Sequence, residues 1–457
     1  MTAALLRRAV WPVVVVSTVL STSLVSDARA DVRRGAEASS ENLPGRVVQA
    51  GTLFEGSAIR VDLRRPRRWA VALQPSKAVR VRLAGCRGRV RVGTSRSRLR
   101  SYVLDGLPRT IRVPTGHARA THAIHLARPA HGRACLSVLV DRADVEAPLI
   151  PLGAALRSDF LATAPGYRSA FLERFEALTP ENEMKMEVLQ PARGRFAFGA
   201  ADRLVDLARE HRMPVRGHTL VYDRQLPRWL TDPMVPWTRA SLLEVMRQHI
   251  STVVQRYRGR VDRWDVVNEA VDGNGALKRS LWQRVIGDDY IGLAFRFARE
   301  ADPTARLVYN DHTLERPAPH QDGVYRLLAD LRARGVPIDG IGFQAHIAPG
   351  NVPTAAELDK TFSRFASLGL RLEVTEADAP FPGPATPQRI AEQTDHFSRL
   401  ANACWEHVGC DRMTVWGVDD GHSWLGVERG ATLLDPSLGP KPAYAAARDA
   451  LRGRRSR

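Results

Sequence analysis

Long apolar runs are scarce in this chain of 457 residues. The longest lies within residues 1–30, "MTAALLRRAVWPVVVVSTVLSTSLVSDARA", and it is interrupted by Pro12, Ser17 and Thr18. A membrane anchor is the alternative interpretation, but a helix that spans a bilayer needs about 20 consecutive apolar residues. Two arginines before the run and Ala-Arg-Ala at its end are typical of a secretory signal peptide. We therefore expect a secreted, extracellular protein with no membrane span in its mature form.

Cysteine is also scarce, with four residues in two sequence-local pairs, Cys86 with Cys135 and Cys404 with Cys410. An even count in an exported protein predicts two disulfide bonds. Five residues separate Cys404 from Cys410, so that bond would stiffen a local turn. A metal site is the alternative, but neither pair has the C-x-x-C spacing of a zinc site.

Several motifs that mark other enzyme classes are missing. The chain has no Ser-His-Asp order, no Walker loop and no H-E-x-x-H sequence. No glycine-rich phosphate fingerprint follows the first predicted strand after residue 148, which argues against a dinucleotide-binding fold. A metal site built from His218, His346 and carboxylates remains an alternative, although its ligands lack close spacing. We predict no cofactor and no metal.

Positive charge is present in excess and is unevenly distributed. The formal net charge is +18. Residues 31–148 hold 23 Lys and Arg against nine Asp and Glu, which gives +14, whereas residues 1–30 and 149–457 carry +2 each. Between residues 45 and 142 the apolar residues alternate with polar ones in short runs broken by turn residues. This pattern predicts a small all-β, sandwich-like domain at residues 31–148 with an Arg-rich face.

Charge alone favours nucleic acid as the partner of residues 31–148. Export makes nucleic acid a poor candidate, so we predict none. An acidic polysaccharide or a cell-wall polyanion is the better candidate, and a solvated face without a partner is the alternative. Trp69 is the only tryptophan in this segment, so it offers no aromatic platform for a neutral sugar chain.

From residue 149 onward, short apolar runs alternate with amphipathic helical stretches. Eight runs are strand-like: LIPLGAAL, FEALTPENE, PVRGHTLV, RWDVVNEA, RLVYNDH, GIGFQAHI, RLEVTEADA and RMTVWGVDD. Eight strands with crossover helices over about 300 residues predict a parallel β/α (TIM) barrel at residues 149–453. An open, doubly wound sheet is the second candidate.

Polar side chains lie at the C-terminal ends of seven of these eight runs, where a barrel has its active-site face. Two of them are carboxylates, Glu269 at the end of the fourth run and Glu376 in the seventh. Strands four and seven lie across the barrel mouth from each other, so both carboxylates can reach one cleft. Paired carboxylates are what glycoside hydrolysis requires, because one protonates the leaving oxygen and the other attacks carbon or activates water.

Seven successive motifs in this region resemble those of glycoside hydrolase family 10, over about residues 149–453. They are TPENEMKMEVLQP, RGHTLVYDRQLPRWL, WDVVNEAVD, YNDHTLE, GIGFQAHI, EVTEADAP and VWGVDDGHSWL. That family consists chiefly of endo-β-1,4-xylanases, which are retaining enzymes on a β/α barrel. The resemblance therefore implies a hydrolase that acts on xylan or a related β-1,4-linked polysaccharide. The Cys404–Cys410 pair also resembles a disulfide found in the family.

The resemblance assigns roles position by position. Glu269 resembles the general acid/base and Glu376 the nucleophile. Residues that resemble the catalytic support are Asn268, Gln344, His346 and Asp378. Residues that resemble sugar-binding positions are Glu181, Asn182, Lys185, His218, Tyr222, Gln225, Trp416 and Trp424. We expect His346 to bridge Glu376 and Asp378 and to lower the pKa of Glu376, whereas an acid role at neutral pH requires a raised pKa at Glu269.

Two residues depart from the family pattern, which usually has Trp at the position of Tyr222 and His at that of Asp223. Tyr222 can still stack on a sugar, but Asp223 brings a negative charge to the cleft. These departures leave open a retaining β-glycanase of altered specificity. A non-catalytic polysaccharide-binding protein is the third hypothesis, although both carboxylates that it would have lost are present.

Overall fold

The computed structural model describes residues 150–348, 350–407 and 409–453, together with the backbone of eight strands between residues 58 and 142. The predicted signal peptide, residues 1–30, and the Cys86–Cys135 pair lie outside the described residues. Among the described helices, none is long and apolar enough to cross a membrane.

The eight N-terminal strands, β1 to β8, pair antiparallel in two four-stranded sheets, with the orders β1-β8-β3-β6 and β2-β7-β4-β5. The packing of these sheets into a sandwich stays a prediction. The strands are Ala58–Val61, Trp69–Leu73, Ala78–Ala84, Arg87–Gly93, Arg100–Asp105, Arg109–Pro114, His122–Ala127 and Ser137–Arg142.

The remaining strands form a parallel eight-stranded sheet with the order β10-β9-β16-β15-β14-β13-β12-β11. Its two ends meet, because the backbone N–H of Leu178 in β10 donates to the carbonyl of Pro214 beside β11 at 3.1 Å. The predicted β/α barrel is therefore confirmed, with a near-closed sheet. The strands β9 to β16 are Leu152–Leu156, Ala177–Pro180, Arg216–Val221, Arg263–Asn268, Arg306–Asp311, Gly340–Phe343, Arg371–Ala377 and Cys410–Val415.

Helices surround the sheet and cover its outer face. Several begin at a hydroxyl residue whose oxygen accepts a backbone N–H, as Thr354 does from Glu357 at 3.2 Å, which explains where they start. The α-helices are Ser158–Thr163, Tyr167–Arg174, Met186–Leu189, Gly199–Glu210, Arg228–Thr231, Arg239–Arg256, Leu281–Ile286, Tyr290–Ala301, Pro319–Ala333, Ala355–Ala366, Pro387–Glu406 and Pro442–Leu451, and two 3-10 helices span Asp420–His422 and Val427–Arg429.

The barrel interior contains buried charge as well as apolar side chains. Arg216 is 1% exposed and donates to the carboxylates of Asp265 and Glu373, which are both fully buried. Arg263 adds a second cation at 2.7 Å from Glu373. A buried charge is tolerated when it is paired and hydrogen-bonded. This network ties strands β11, β12 and β15 together below the site described next.

Seven of the eight runs predicted from the sequence contain a whole barrel strand, and the eighth overlaps its strand. The last prediction differs in its bounds, because β16 begins at Cys410, two residues before the run RMTVWGVDD, and ends at Val415. Its polar end, residues 416–420, therefore belongs to the loop after the strand. The Sγ atoms of Cys404 and Cys410 lie 1.99 Å apart, at the start of this strand.

Candidate active site

The barrel brings Glu269 and Glu376 to the same mouth. Glu269 directly follows β12, and its backbone N–H donates to the carbonyl of Asn310 at 2.9 Å. Its φ of 53° lies in the left-handed region, an uncommon conformation for a residue other than glycine. This turn ends the strand and directs the chain outward. Both carboxylates are largely buried, with 8% exposure at Glu269 and 5% at Glu376.

Asn310, at the end of β13, connects the two halves of the site. Its Nδ2 donates to Asn268 Oδ1 at 2.9 Å and to Glu376 Oε1 at 2.6 Å. The hydroxyl of Thr375 donates to Asn310 Oδ1 at 2.7 Å, which fixes the orientation of the amide. Asn310 followed a predicted strand, but the family motifs gave it no role. Its fixed amide holds Glu376 in place and keeps one oxygen hydrogen-bonded.

Gly342 in β14 makes room for this amide. A Cβ at position 342 would lie 2.2 Å from Asn310 Oδ1 and 2.8 Å from a methyl carbon of Thr375. We expect Gly342→Ala to displace Asn310 and to lower kcat at least about tenfold, because a hydrogen bond to a charged group contributes about 1.5–3 kcal/mol. Steady-state kinetics would measure this loss. Gly199→Ala is the matched control, because the nearest atom to its added Cβ is a flexible guanidinium at 4.0 Å.

His346 bridges Glu376 and Asp378, as the sequence predicted. Its Nε2 lies 3.2 Å from Glu376 Oε2 and its Nδ1 lies 2.7 Å from Asp378 Oδ2. Burial acts to lower the pKa of His346, but the two carboxylates outweigh burial and raise that pKa to about 10. The imidazole is therefore protonated at neutral pH and donates to both carboxylates.

Glu376 is correspondingly held as an anion. Burial acts to raise its pKa, but attraction to His218, the hydrogen bond from His346 and the charge on Lys185 lower the pKa to about 2. His218 lies 3.8 Å from Glu376 Oε1. The buried carboxylate of Asp265 fixes this imidazole, with 2.9 Å between His218 Nδ1 and Asp265 Oδ2. The result is an unprotonated carboxylate that faces the cleft.

The pKa of Glu269 differs from the one expected from the sequence. Burial and repulsion from Glu376 act to raise its pKa, but the hydrogen bond from Gln344 and the electrostatic interactions with Lys278 and His312 outweigh them. The pKa of Glu269 therefore lies below its ordinary value in the unliganded protein, so the expected raised pKa was wrong. Gln344 donates to Glu269 Oε1 at 3.1 Å, and Lys278 Nζ lies 3.4 Å from Oε2.

The sequence interpretation missed Lys278 and His312 as members of the site. His312 Nε2 lies 4.0 Å from Glu269 Oε2. Lys278 also lies 3.9 Å from Asp223, one of the two departures from the family pattern. Tyr222, the other departure, donates its hydroxyl to Glu269 Oε1 at 3.1 Å. The proximity of Lys278 and His312 arises from loops after β12 and β13, which strand-end motifs alone do not reveal.

Four of the predicted sugar-binding residues form one hydrogen-bonded group. Asn182 Oδ1 accepts from Lys185 Nζ at 3.0 Å and from Gln225 Nε2 at 3.1 Å. Asn182 Nδ2 donates to Glu181 Oε1 at 3.3 Å. Burial lowers the pKa of Lys185, although nearby carboxylates, among them Glu376, act to raise it. The group presents donors and acceptors together, as recognition of sugar hydroxyls requires.

Glu181 has a pKa suited to a pH-dependent role. Burial raises its pKa to about 7 against the attraction of Arg157 and Lys185. Below pH 7 the carboxyl is neutral and can both donate and accept, and above it the group is an acceptor only. We expect the pH profile of kcat/KM to contain a titration near 7 that Glu181→Gln removes. Glu187→Gln, at an exposed position in the helix Met186–Leu189, should keep the native profile.

Two tryptophans flank the nucleophile side of the site. Trp416 is 5% exposed, and its ring lies edge-on to His218 with centroids 5.2 Å apart. Trp424 is 55% exposed, and its Nε1 donates to Asp378 Oδ2 at 3.0 Å. The hydrogen bond fixes an indole face in contact with solvent. Trp424 can therefore stack on a sugar, whereas Trp416 forms the wall behind His218.

One group of described side chains has the composition of a metal site. Among the described residues, Asp311, His312 and His320 form the group whose ligand atoms could share one ion, since these atoms lie within 4.8 Å of one another. The alternative metal site on His218 and His346 is not such a group within the described part of the chain. The cleft carboxylates are instead held by amides, imidazoles and a lysine, which suits acid/base and nucleophilic chemistry.

Comparison with known proteins places this geometry in a family. The family model described as glycosyl hydrolase family 10 matches residues 142–450. Endo-1,4-beta-xylanase B of Thermotoga neapolitana is 39% identical over 307 residues, which cover 66% of this chain and 88% of that protein. Endo-1,4-beta-xylanase A of Fusarium oxysporum f. sp. lycopersici is 39% identical over 279 residues, which cover 59% of this chain and 85% of that protein.

Solved structures give the same result. The crystal structure of xylanase 10B from Thermotoga petrophila RKU-1 in complex with xylobiose superposes with a TM-score of 0.63 at 37% identity, and covers 67% of this chain and 94% of that one. The family model spans more than half of the chain and includes all the site residues described above. The carboxylate-bearing barrel of this chain belongs to glycosyl hydrolase family 10.

Proposed function

We propose that the protein is an endo-1,4-β-xylanase that cleaves internal β-1,4-xylosidic bonds by double displacement, with retention of configuration. The observation that carries the proposal is Glu376, a buried carboxylate that His346, His218 and Asn310 hold unprotonated and aimed at the cleft near Glu269. The xylanase names of the relatives support the substrate.

In the first step, Glu376 attacks the anomeric carbon of the sugar while Glu269 donates a proton to the departing glycosidic oxygen. The bond between that carbon and oxygen breaks, and a glycosyl ester forms on Glu376. In the second step, Glu269 takes a proton from water, the hydroxyl attacks the anomeric carbon, and Glu376 leaves as a carboxylate. The proton that Glu269 loses to the leaving oxygen in the first step is replaced by the proton that it takes from water in the second.

The lowered pKa of Glu269 in the free protein is compatible with both roles. A bound sugar displaces water from the carboxyl and so increases its desolvation, which raises the pKa before the first step. Once Glu376 is a neutral ester, its repulsion of Glu269 disappears and the pKa of Glu269 falls. Glu269 is therefore favoured as a protonated acid in the first step and as an unprotonated base in the second. Lys278 and His312 lower the pKa of Glu269 and so favour its unprotonated form.

The supporting residues have defined tasks in this scheme. Asn268 lies beside Glu269, where its amide can bond the 2-hydroxyl of the reacting sugar. Residues that bind the sugars on the non-reducing side are Glu181, Asn182, Lys185, His218, Tyr222, Gln225, Trp416 and Trp424.

An assay of reducing-sugar release on xylan, cellulose and mannan tests the proposed substrate. We expect rapid release from xylan, and slow or no release from the two hexose polymers. Comparable rates on all three would instead support a β-glycanase of broader specificity. No release from any polymer by the folded protein would contradict the enzymatic proposal and favour a binding protein.

A β-glycanase of altered specificity is the second candidate function. It is favoured by Tyr222, which replaces the tryptophan usual in the family. We expect Tyr222→Phe to change catalysis more than binding, because the lost hydroxyl bonds Glu269 directly. One hydrogen bond to a charged group is worth about 1.5–3 kcal/mol, so kcat should fall about tenfold or more. Kinetics on xylo-oligosaccharides would measure this fall. A rise in KM with unchanged kcat would show that the hydroxyl of Tyr222 contacts the sugar and does not act through Glu269.

Export and the function of the basic segment are further proposals. The signal-like sequence at residues 1–30 supports secretion, which N-terminal sequencing of protein from culture medium would test. The charge of +14 on residues 31–148 supports binding of an acidic polysaccharide or cell-wall polyanion. Binding of the full chain to acidic xylan should weaken as salt rises, because surface charges are screened over about 8–10 Å at 0.1–0.15 M.

A further inference from the structure

Three ligand-type atoms converge on one side of Glu269. Asp311, at the end of β13, is fully buried, and its Oδ2 accepts from the hydroxyl of Tyr309 at 2.6 Å. Its Oδ1 lies 3.1 Å from His320 Nε2 and 3.9 Å from His312 Nε2. His312 Nε2 in turn lies 4.0 Å from Glu269 Oε2. The ligand atoms of Asp311, His312 and His320 thus lie within 4.8 Å of one another, and Glu269 borders this group at His312.

His312 directs its Nε2 atom to the space between Glu269 and Asp311. Its Nδ1 lies 2.8 Å from the hydroxyl of Thr313. In the tautomer whose Nδ1–H donates to that hydroxyl, Nε2 carries no proton. The distances from Nε2 to Glu269 Oε2 and Asp311 Oδ1 are too long for hydrogen bonds. In that tautomer an acceptor nitrogen therefore faces two carboxylate oxygens, one of Glu269 and one of Asp311, across gaps that a cation would stabilise.

The size of the gap suits a transition-metal ion. Zinc bonds to nitrogen and carboxylate oxygen are about 2.0–2.2 Å long, so two ligands of a tetrahedral ion lie about 3.4 Å apart. An inward shift of about half an ångström at His312 would bring the observed distances to this value. Imidazole with carboxylate is a ligand set that zinc accepts. His312 is partly exposed, which gives the ion a route from solvent.

We propose that Asp311, His312 and His320, with the neighbouring Glu269 as a further ligand, form a binding site for a divalent transition-metal ion such as Zn²⁺, and that the bound ion inhibits hydrolysis. The inhibition rests on the proposed acid/base role of Glu269, because an ion on Oε2 competes with the proton that this carboxyl must transfer.

His320 can bind the ion through Nε2 once this atom loses the proton that it shares with Asp311. Its Nδ1 donates to the carbonyl of Asp272 at 2.9 Å, which directs Nε2 towards Asp311. The ion would replace the proton between these two side chains. The ring of His320 lies parallel to that of His312, with centroids 4.8 Å apart, so both imidazoles border the same space. Lys278, 3.4 Å from Glu269 Oε2, opposes the ion by charge repulsion.

Calorimetric titration of the full chain with Zn²⁺ tests the site independently of activity. We expect His312→Asn to weaken Zn²⁺ binding at least about tenfold, since loss of a ligand should cost no less than loss of an outer-shell partner. Lys278→Gln should strengthen binding several-fold, because it removes the opposing charge. His211→Asn, at an exposed histidine on a helix end, is the matched control and should leave the affinity unchanged. Equal affinities in the native protein and His312→Asn would overturn the proposal.

The inhibitory effect is measured on the same variants. Zn²⁺ at a concentration that saturates the native site should suppress xylan hydrolysis in the native protein and in His211→Asn, and much less in His312→Asn. Binding that depends on His312 without any loss of hydrolysis would contradict the contact with Glu269. If the protein does not hydrolyse xylan at all, the proposed function fails, and the calorimetric comparison still decides whether the ion site exists.

Discussion

Glu376→Ala should abolish hydrolysis of both xylan and an aryl xylobioside with a good leaving group. The variant has no group to form the glycosyl ester, so both substrates stop at the same step. We expect kcat to fall by more than about 10⁴-fold, since removal of a nucleophile leaves binding and proton transfer as the remaining sources of catalysis. Initial rates on the two substrates, followed by reducing-sugar and chromophore release, would measure this loss.

The variant must be shown to fold, because Glu376 also accepts a hydrogen bond from Asn310. Glu376→Gln keeps the size of the side chain and removes its charge, so it should be nearly as inactive while it retains a native melting curve. Substantial turnover of the aryl substrate by either folded variant would exclude Glu376 as the nucleophile.

Glu269→Ala should separate the two substrates. Xylan has a poor leaving group that needs protonation, so its hydrolysis should fall by about 10²–10⁴-fold. The first step on an aryl xylobioside with a good leaving group needs little protonation and should be nearly unaffected. Because the second step still lacks its base, the glycosyl ester should accumulate, and the rate should show an initial burst followed by slow turnover.

Added azide should rescue this slow turnover, since a small anion can attack the ester without base catalysis and can enter the space left by the side chain. The product would be a glycosyl azide in the β configuration. Glu187→Gln, on the protein surface, is the control, and azide should not increase its turnover. Equal losses on both substrates without azide rescue would contradict the acid/base role.

Much of the fold could be predicted from the sequence because the barrel strands are short apolar runs with polar ends. The run at residues 263–270 shows this directly: β12 ends at Asn268, and Glu269 follows it at the barrel mouth. The bridge from His346 to Glu376 and Asp378 was also predictable, because residues two apart on a strand share a face. Strand periodicity thus identifies which side chains of a barrel meet.

Other features depend on distances that periodicity does not contain. Asn310 was a strand-end residue in the sequence, but its contact with Glu376 depends on the space left by Gly342. The pKa of Glu269 was predicted to be raised, because the motif indicated its role but not the loop residues near it. The hydrogen bond from Gln344 lowers that pKa, and Lys278 and His312 lower it further from positions that follow from the conformation of the loops.

The stereochemistry of the first product tests the two-carboxylate mechanism most directly. Proton NMR of xylo-oligosaccharide hydrolysis, recorded before mutarotation, distinguishes the anomers of the newly formed reducing end. Double displacement through Glu376 predicts that the β anomer forms first and that the α anomer appears later by mutarotation. Initial formation of the α anomer would show that water attacks the substrate directly and would contradict the proposed role of Glu376.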